Sequence, residues 1–380
     1  MSQLDEYRNE IDETDRIIVE AFDKRMRIAE KIAAYKKDNH LPVTDLIREG
    51  KKLEEITDMT KDDMTLYTRL LYHMIMEMSK DHQHYISGDE SELVREIQNA
   101  LEKTPHLFPE RAVVACQGVA GAYSQQACER IFKIPKIMYL KNFNGVFSAI
   151  DQGLCQYGIL PLENSTAGSV NQIYDLMMRY NFHIVKSIKL KIDHSLLAPE
   201  GVKKEDIREV FSHKQAIMQC EEYLKQFKNI KITVCENTAE AAKKVALSGR
   251  KDAAALASRV CGELYGLNCI EEGTQDNGNN YTRFICIAKK MEIYPGADKT
   301  SLMMVLPHKP GALYHILSRF YALGINITKL ESRPIPDRDF HFMFYFDIEC
   351  QVYSEEFVRL MGQLCDLSKE VRYLGSYTEL

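Results

Sequence analysis

The feature that most constrains this chain is the stretch 4–38, which contains neither glycine nor proline. Apolar side chains recur along it at helical spacing. These apolar positions are Leu4, Tyr7, Ile11, Ile18, Phe22, Ile28, Ala29 and Ile32. A helix of about 35 residues is about 50 Å long, which is too long for a lone small globule. We therefore predict a long helix that packs along a partner helix over its whole length, and a helical dimer as the result.

Two more helices complete a predicted all-helical region. A break at 39–43 precedes Thr44, a residue type that favours the N-cap position, and the second helix is predicted to run to about Asp58. The third helix is predicted from about Lys61 to Tyr85. Its inward-facing residues are expected to be Leu66, Leu70, Leu71, Met74, Ile75 and Met78. Residues 86–110 then form a predicted linker that contains a short helix.

The remainder of the chain changes pattern twice. Between Arg111 and about Lys290, short β-branched or apolar runs alternate with helical stretches, which predicts two α/β lobes around a cleft. After a second linker at 289–300, the predicted order is β-α-β-β-α-β, the ferredoxin-like arrangement. The predicted fold is thus multidomain, with an all-α domain at 1–88, a two-lobed α/β domain at 111–290 and an α+β ferredoxin-like domain at 299–380.

Composition and charge limit the kinds of partner. The net charge of −6 does not favour nucleic-acid binding. The polar N-terminus is unlike a secretory signal, and no run of 18 apolar residues is present to span a membrane. The ten cysteines form no C-x-x-C pair and most lie in apolar segments, so we expect reduced thiols in a cytoplasmic protein. No motif predicts a metal or a cofactor.

Each predicted N-terminal helix also carries a small polar cluster. Arg25 and Lys36 are eleven residues apart, which places them within about 20° of each other around the first helix. Arg8 lies about 100° away and is expected to enter a partner's site. Five more polar residues share a face of the second or third helix, and they are Asp45, Arg48, Glu49, Ser79 and Gln83. Each one alone is more often a solvated side chain, but together they predict a cationic pocket with one carboxylate.

As a set, these residues resemble the all-helical class of chorismate mutase over the full length of about 85 residues. That family carries out a unimolecular rearrangement of a dianion, so its proteins hold a compact conformer and stabilise charge on the breaking ether. The resemblance implies that Arg25, Arg48 and Arg8 of the partner chain bind carboxylates, a task that suits the planar guanidinium.

The same resemblance implies roles for the other polar residues of the helices. Lys36 and Gln83 would donate hydrogen bonds to the ether oxygen. Glu49 would bind the substrate hydroxyl. Asp45 and Ser79 complete the implied substrate contacts.

Four polar motifs lie in the predicted α/β domain. A glycine turn at 118–124 follows the strand AVVACQ and leads to a helix N-terminus, an arrangement that suits an anion. The stretch PLENSTAGSV at 161–170 also follows a strand, and the turn at 212–215 follows another. The last motif, at 280–284, opens the strand RFICIA. Each motif alone is common in turns and helix caps.

In this order and spacing, the four motifs resemble prephenate dehydratase across about 180 residues. That family expels a ring hydroxyl and carbon dioxide from prephenate, which requires a proton or hydrogen bond to the departing hydroxyl. The resemblance implies Thr282 as the main catalytic hydroxyl, helped by Asn164, Ser165 and Thr166. One departure is the glycine turn, which reads GVAGAYS where the family has proline and glutamate after the first glycine and serine before Tyr123.

The resemblance leaves other dehydratase residues with less defined roles. Arg283 would either fix a substrate carboxylate or buttress the loop, and both possibilities stay open. Glu163 could be a general acid, or it could face away from the substrate. The other implied substrate-binding residues are Gly118, Ser124, Ser212, Gln215 and Phe284.

The C-terminal motifs resemble those of an ACT domain of the phenylalanine-binding kind over about 80 residues. Gly311, Ala312 and Leu313 open a helix after a strand, and backbone N–H groups at such a start suit an amino-acid carboxylate. Asn326 and Glu331 could meet the ammonium group. The second motif comprises Glu331, Ser332, Arg333 and Pro334. Domains of this kind bind their effector at a dimer interface, so the effector is expected to shift an oligomeric equilibrium.

The three resemblances together imply a bifunctional chorismate mutase/prephenate dehydratase of L-phenylalanine biosynthesis, feedback-inhibited by L-phenylalanine. The implied small-molecule partners are chorismate, prephenate and L-phenylalanine, and the implied assembly is a homodimer or a higher homo-oligomer without nucleic acid or membrane. Three alternatives stay open. They are a non-enzymatic sensor, an enzyme with one inactive domain, and arogenate in place of prephenate as the substrate.

Overall fold

The computed structural model describes residues 2–87, 91–335, 341–368 and 370–380. The chain forms two compact units. The first unit contains residues up to 95 together with 355–367. The second contains residues 96–354 together with 368–380.

The first unit is helical, as predicted. Helix α1 (Gln3–Asp38) begins with a capping box between Ser2 and Asp5 and is unbroken over its 36 residues. Helix α2 (Leu46–Asp58) is capped by Asp45, whose carboxylate accepts a hydrogen bond from the Arg48 backbone at 3.0 Å. The predicted N-cap, Thr44, is therefore one residue too early. A 3₁₀ turn at Asp62–Met64 leads into α3 (Thr65–Ser87), against which the helix Glu355–Leu367 also packs.

The apolar faces of the helices are largely exposed in the single chain. On α1 only Ala29 and Ala33 are buried. The prediction that Leu66, Leu70 and Leu71 face inward is wrong for one chain, because each of them is more than half exposed. The buried positions of α3 are instead Met76, Ser79 and Gln83. The face of α3 that packs against the neighbouring helices therefore carries the polar residues Ser79 and Gln83, while its apolar face is exposed to solvent.

The chain passes into the second unit within α4, and a first α/β lobe built on one sheet follows. Its elements in chain order are α4 (Glu92–Lys103), β1 (Arg111–Gln117), α5 (Tyr123–Ile131), β2 (Ile134–Leu140), α6 (Phe143–Asp151), β3 (Tyr157–Asn164), β4 (Gly168–Ser169), α7 (Asn171–Arg179) and β5 (His183–Lys191). Strands β2 and β5 were not among the predicted ones. In β5 the apolar run is interrupted by lysines that reach the surface, and β2 lies at the edge of the sheet.

A second α/β lobe interrupts the first. Its elements are β6 (Ser195–Ala198), a 3₁₀ turn (Lys204–Asp206), β7 (Glu209–His213), α8 (Lys214–Gln219), α9 (Glu221–Leu224), β8 (Lys231–Cys235), α10 (Thr238–Ser248), β9 (Ala253–Ala257), α11 (Arg259–Tyr265) and β10 (Asn268–Glu271). The chain then returns in β11 (Tyr281–Ala288), which lies between β3 and β5 and runs antiparallel to both. This return brings a motif from the far side of the second lobe to the end of β3, and the predicted pair of lobes is confirmed.

A four-stranded antiparallel sheet completes the second unit, with the strand order β13-β14-β12-β15. The elements of this part of the chain are β12 (Lys299–Val305), α12 (Ala312–Ala322), β13 (Asn326–Pro334), β14 (Phe342–Glu349), α13 (Glu355–Leu367) and β15 (Glu370–Tyr377), of which α13 belongs to the first unit. This is the predicted β-α-β-β-α-β order. The sheet shares one hydrophobic core with the first lobe, in which Tyr174 packs edge-on against Tyr345 with ring centroids 4.9 Å apart.

The C-terminal sheet approaches the first lobe very closely at β15. Gly375 has φ +137°, and a Cβ atom there would lie 2.2 Å from the carbonyl oxygen of Ile184 on β5. Only glycine permits this contact. The predicted linker before β12 is also packed rather than free, because Ile293 and Ala297 are almost fully buried. Among the described residues, no helix is long and apolar enough to cross a membrane.

Candidate functional sites

The helical unit brings Arg25 of α1 to the polar stripe of α3. Arg25 Nη1 donates to the Ile75 carbonyl at 3.2 Å and to the hydroxyl of Ser79. Partial burial lowers the pKa of Arg25 from its ordinary value. Gln83 lies one turn beyond Ser79, and its buried Oε1 atom has no hydrogen-bond partner within the described part of the chain. This group of predicted residues is therefore assembled, with one buried acceptor still to be satisfied.

The other predicted residues of the helical site lie around α2. Lys36 Nζ donates to the carbonyl of Val43 at 2.6 Å, which ties α1 to the segment before α2. Arg48 is exposed, one turn beyond the cap Asp45. Glu49 forms an ion pair with Lys80 of α3 at 3.2 Å. Sequence reasoning missed Lys80, whose only signal was its position next to Ser79.

Lys80 adds a partly buried cation to this cluster. Burial lowers its pKa, but hydrogen bonds and charge from Glu77 and Glu49 raise it more, so its pKa lies above the ordinary value. The Lys80–Glu77 contact is 2.5 Å long. Lys80 is therefore a permanent positive charge that holds Glu49 in place.

Arg8 is not brought to this cluster within one chain. It is 66% exposed and its contact with Asp5 is 3.6 Å long. Arg8 and Arg25 are 17 positions apart on a straight helix, which corresponds to about 25 Å along the axis. In a single chain, Arg8 therefore cannot share a ligand with Arg25.

In the second unit, Asn164 is the centre of a polar network where β3 ends. Its Nδ2 atom donates to Thr282 Oγ1 at 2.9 Å, to Asn280 Oδ1 at 2.8 Å and to the Tyr281 carbonyl at 3.1 Å. Its Oδ1 atom accepts from the backbone N–H groups of Thr166 and Ala167 at 3.1 and 2.9 Å. Asn164 and Thr282 are directly opposite each other in the β3–β11 ladder and are both buried.

The backbone contacts determine which way the Asn164 amide points. A backbone N–H only donates and a backbone carbonyl only accepts, so Oδ1 must face Thr166 and Nδ2 must face Tyr281. Thr282 Oγ1 therefore accepts a hydrogen from Asn164. Its own hydroxyl hydrogen is then available for another acceptor.

Thr166 and Ser165 have distinct positions in this network. The Thr166 hydroxyl donates to Asn164 Oδ1 at 2.7 Å. The Ser165 hydroxyl donates to the Asn279 carbonyl at 3.0 Å and accepts from the Tyr281 backbone at 2.9 Å. Ser165 thus pins the loop after β3 to the segment before β11.

The second lobe contributes Gln219 and His194 to the network, two residues that sequence reasoning missed. Gln219, at the end of α8, donates from Nε2 to Thr166 Oγ1 at 2.8 Å. Its Oε1 atom lies 3.2 Å from Asn280 Nδ2 and 3.0 Å from Nε2 of His194. Burial lowers the pKa of His194, so it is neutral at pH 7 and carries its proton on Nε2. The only sequence signal for Gln219 was its place one helix length after the 212–215 motif.

Glu163 and Arg283 face away from this network. Their neighbours Asn164 and Thr282 face the network, and successive side chains of a strand point to opposite faces of the sheet. Arg283 Nη1 contacts Glu163 Oε1 at 3.3 Å and also the carboxylate of Asp347 on β14. The geometry thus places both side chains on the opposite side of the sheet from Asn164 and Thr282, next to the C-terminal sheet.

The ionisation of Glu163 agrees with this placement. Burial raises its pKa, but the hydrogen bond from Lys329 and the charge of Arg283 lower it more, so its net pKa is below the ordinary value. The Lys329 Nζ–Glu163 Oε2 contact is 2.5 Å long. Glu163 is therefore a carboxylate at neutral pH and has no proton to give.

The remaining dehydratase residues lie in structural positions around the network. Phe284 is 3% exposed in the hydrophobic core, and fully buried Ser212 donates to the Leu256 carbonyl at 2.7 Å. The backbone of Gln215 donates to the side chain of His213, which caps α8. The structure does not bring these side chains to Asn164.

The glycine turn packs against the second lobe. Gly118 and Gly121 both have positive φ, and a Cβ atom on Gly121 would lie 2.9 Å from the Cys261 sulfur on α11. The Tyr265 hydroxyl donates to the Ala120 carbonyl at 2.6 Å. Ser124 is 5% exposed in the first turn of α5. The turn therefore joins the two lobes, in addition to whatever it binds.

The predicted effector residues fall on both faces of β13 and at the start of α12. Gly311, with φ +82°, precedes Ala312 and Leu313 in the first turn of α12, where backbone N–H groups have no intrahelical acceptor. Exposure alternates along the whole of β13. The exposed positions include Asn326, Ser332 and Pro334, while Glu331 and Arg333 lie on the less exposed face.

The less exposed face of β13 contacts the first lobe. Glu331 accepts from the Ser169 hydroxyl at 2.6 Å, and Arg333 donates to both carboxylate oxygens of Asp175 on α7. Asn326 Nδ2, near the start of the strand, donates to Glu349 at 2.8 Å. The predicted effector residues thus divide into those that contact the first lobe and those that are exposed to solvent. No group of three or more potential ligands placed to hold a metal occurs among the described residues.

Three family models match the chain in succession. Chorismate mutase type II matches residues 7–84, prephenate dehydratase matches 114–292 and the ACT domain matches 300–357. These matches fall in turn on helices α1 to α3, on the two lobes and on strands β12 to β14 of the C-terminal sheet.

One relative matches almost the whole chain, and others match about 70% of it. A bifunctional chorismate mutase/prephenate dehydratase of Aquifex aeolicus (strain VF5) is 31% identical over 381 residues, which cover 99% of this chain and 98% of that protein. Arogenate dehydratase 2 of Petunia hybrida is 38% identical over 284 residues, which cover 70% of this chain and 72% of the relative. A prephenate dehydratase of Arthrobacter aurescens in complex with L-Phe is 26% identical with a TM-score of 0.64, covering 70% of this chain and 89% of that chain.

Proposed function

Because this chain belongs to the bifunctional chorismate mutase/prephenate dehydratases, we propose that its two polar clusters are two separate active sites of L-phenylalanine biosynthesis. The enzyme rearranges chorismate to prephenate, and it then dehydrates and decarboxylates prephenate to phenylpyruvate. The proposed domains are 1–88 for the mutase, 111–290 for the dehydratase and 299–380 for the ACT domain.

In the mutase site, the protein supplies shape and charge but no nucleophile. Arg25 and Arg48 bind the carboxylates of chorismate, and Glu49, held by Lys80, binds its hydroxyl. The ether oxygen takes hydrogen bonds from Lys36 and Gln83. The buried amide of Gln83 is available to a ligand, because its Oε1 atom has no hydrogen-bond partner within the described residues.

The dehydratase proposal rests on one observation, the direction of the Asn164–Thr282 hydrogen bond. Since Thr282 Oγ1 accepts from Asn164, its hydroxyl proton points to the substrate and is donated to the departing ring hydroxyl. The bond between the ring and its carboxylate breaks and releases carbon dioxide, and its electron pair enters the ring as the C–O bond to the departing hydroxyl breaks. The hydroxyl leaves as water, and Thr282 regains its proton from solvent water. The groups around Thr282 that carry this network are neutral amides, hydroxyls and His194, so the donor is not a carboxylic acid.

The assembly is proposed to be a homodimer or a higher homo-oligomer. The exposed apolar face of α1 supports a partner helix, since Tyr7, Ile11 and Ile18 are each more than half exposed. Such a partner would bring its own Arg8 towards Arg25 of this chain. The C-terminal domain is proposed to bind L-phenylalanine at Gly311–Leu313 and on the exposed face of β13, and thereby to inhibit the dehydratase. A cytoplasmic location is supported by nine cysteines that are free of disulfides within the described residues.

The test is an end-point chromatographic assay with chorismate alone, with and without L-phenylalanine. Phenylpyruvate should form, and its yield should fall when L-phenylalanine is added. Accumulation of prephenate without phenylpyruvate would leave only the mutase. No turnover combined with a thermal shift on adding L-phenylalanine would support a sensor instead.

Arogenate is a second candidate substrate for the dehydratase site. The 38% identity to a petunia arogenate dehydratase favours testing it. Prephenate remains the expected substrate, because the mutase produces it on the same chain. Comparing kcat/KM for the two compounds in the purified protein decides between them, and a higher value for arogenate would reverse the assignment.

A further inference from the structure

Two cross-strand pairs of opposite charge face each other between the first lobe and the C-terminal sheet. Glu163 and Arg283 are direct partners in the β3–β11 ladder, and Lys329 and Asp347 are direct partners in the β13–β14 ladder. Each acid forms an ion pair with the base of the other sheet. Glu163 pairs with Lys329, and Asp347 pairs with Arg283. We call these four residues the four-charge cluster.

The centre of the cluster is closed to solvent, and several hydrogen bonds hold its buried charges. The side chains of Arg283 and Asp347 are 6% and 0% exposed. Asp347 Oδ1 accepts from the hydroxyls of Tyr345, at 2.6 Å, and Ser301, and Arg283 Nη2 donates to the Tyr377 hydroxyl at 2.7 Å. A buried charge that loses its partner is strongly disfavoured, and Arg283 is held by the cluster's two acids and also by Glu379 at 2.9 Å.

The cluster lies directly behind the catalytic pair. Asn164 follows Glu163 in β3, and Thr282 precedes Arg283 in β11, so each catalytic residue is one peptide away from a member of the cluster. The ladder has a bulge between Arg283 and Phe284, immediately after these two pairs. A shift of the cluster would therefore move the Asn164–Thr282 hydrogen bond.

The cluster also lies directly behind the open face of β13. Lys329 and Glu331 point to the first lobe, where they contact Glu163 and Ser169. The residue between Glu331 and Arg333 is Ser332, which is exposed on the other side of the strand. One strand thus carries the predicted effector residues on one face and the contacts to the catalytic strands on the other.

From this arrangement we propose that Arg283 and Asp347 are positioning residues of the dehydratase, and that the four-charge cluster transmits the state of β13 to Asn164 and Thr282. The inference rests on the proposed inhibition by L-phenylalanine. An amino acid bound on the open face of β13 shifts the strand, and Lys329 and Asp347 carry the shift to Glu163 and Arg283. No member of the cluster touches the substrate.

The first experiment uses Asp347→Asn in the full chain, since this change keeps the shape and removes the charge. The kcat for prephenate should fall roughly 10- to 100-fold, the loss expected when a catalytic group is displaced by about 1 Å. The KM should change by less than about twofold, because ground-state binding is untouched. The L-phenylalanine concentration at half-inhibition should rise about fivefold or more, which corresponds to loss of a typical coupling free energy.

Further variants separate positioning from substrate binding. Arg283→Lys should keep more of the wild-type kcat than Arg283→Gln, since it retains the charge opposite Asp347. The matched control is Arg372→Gln. Arg372 joins the same two regions through the carbonyls of Met177 and Met178, without touching the cluster. Its kcat and its half-inhibition concentration should stay at wild-type values.

Two results would overturn the inference. One is a raised KM for prephenate in Arg283→Lys with an unchanged kcat, which would show that Arg283 binds the substrate itself. The other is an unchanged half-inhibition concentration in Asp347→Asn. If Asp347→Asn also loses mutase activity, its folding is damaged, and the more peripheral variant Lys329→Gln is used instead. An unchanged half-inhibition concentration in Lys329→Gln would refute the transmission from β13 to Asn164 and Thr282. A wild-type protein that forms no phenylpyruvate would instead refute the proposed function.

Discussion

The two proposed active sites differ in how much of each a single chain completes. In the helical unit, Arg8 is exposed about 25 Å from Arg25, and Gln83 keeps an unpaired buried oxygen. In the dehydratase, Asn164 and Thr282 are buried and hydrogen-bonded to each other although 118 positions separate them. A helix presents its polar side chains one at a time around its axis, so several helices must meet to form a site. A strand ladder brings distant residues into contact by pairing alone.

The largest expected loss of activity is the loss of dehydratase kcat on replacing Thr282. Replacing it with alanine removes the proposed proton donor, so dehydratase kcat should fall about 10²- to 10⁴-fold, while mutase activity should stay at the wild-type level. Thr282→Ser keeps the hydroxyl and is the control, with most of the activity expected to remain. Phenylpyruvate formation from prephenate is the measurement. If both variants were equally inactive, the role of the site would be steric rather than chemical.

The second prediction concerns the mutase alone. Arg25→Ala should lower mutase kcat/KM by about 10²- to 10³-fold, as expected for loss of a preorganised donor, and should spare phenylpyruvate formation from added prephenate. Arg27→Ala, on the exposed side of the same helix and paired only with Asp23 at 2.9 Å, is the matched control. Loss of both activities in a folded Arg25→Ala protein would mean that the two sites are not separate.

A third prediction tests whether the helical site is completed by a partner. Arg8→Ala and Arg25→Ala should each be inactive as mutases, yet refolding an equal mixture should restore about a quarter of the wild-type activity. Half of the dimers would then be mixed, and one of their two sites would contain both arginines. The control is the same mixture without refolding. No recovery, with exchange of subunits verified by mass, would place Arg8 outside the partner's site.

The smallest expected effect is the acid response of the second unit. Burial raises the pKa of Glu379, but Lys189 and Lys299 lower it more, to about 2. Because the folded pKa lies below the unfolded pKa of about 4.3, Glu379 stabilises the fold above that unfolded value. Its contribution is lost as the pH falls towards the folded value.

The corresponding measurement is calorimetry between pH 5 and the acid limit of about pH 2, the window set by these two pKa values. The transition of the second unit should fall more steeply with pH in the wild type than in Glu379→Gln. Lys133→Gln, whose ion pair with Glu110 is exposed, should behave like the wild type. Identical pH profiles for Glu379→Gln and the wild type would show that the Glu379 ion pairs add nothing to stability.

Much of the architecture could be predicted from local patterns. The long glycine-free run predicted α1 to within one residue of its start, and the alternating runs predicted two lobes and the ferredoxin-like order. The N-cap of α2 was misplaced because Thr44 and Asp45 are both good caps, and the carboxylate of Asp45 takes the role.

The parts that could not be predicted depend on which face of an element another part of the chain covers. The apolar stripe of α3 was expected to be internal, but the neighbouring helices meet its polar stripe at Ser79 and Gln83. The direction of Glu163 and Arg283 follows from strand pairing and from a C-terminal sheet that lies behind them. Gln219 lies in another lobe from its partner Thr166, and the sequence offers no local pattern for such a contact.

The position of the four-charge cluster along the chain has a consequence during synthesis. Lys329 follows its partner Glu163 by 166 positions, and at typical ribosomal rates that interval lasts about 8–33 s. Helices α1–α3 are already complete at the start of it, whereas β11 and both C-terminal partners of the cluster are still to be made. The helices of the mutase would thus be available to pair with those of a partner chain before the dehydratase site could form, so the two sites would mature in the order of the reactions they catalyse.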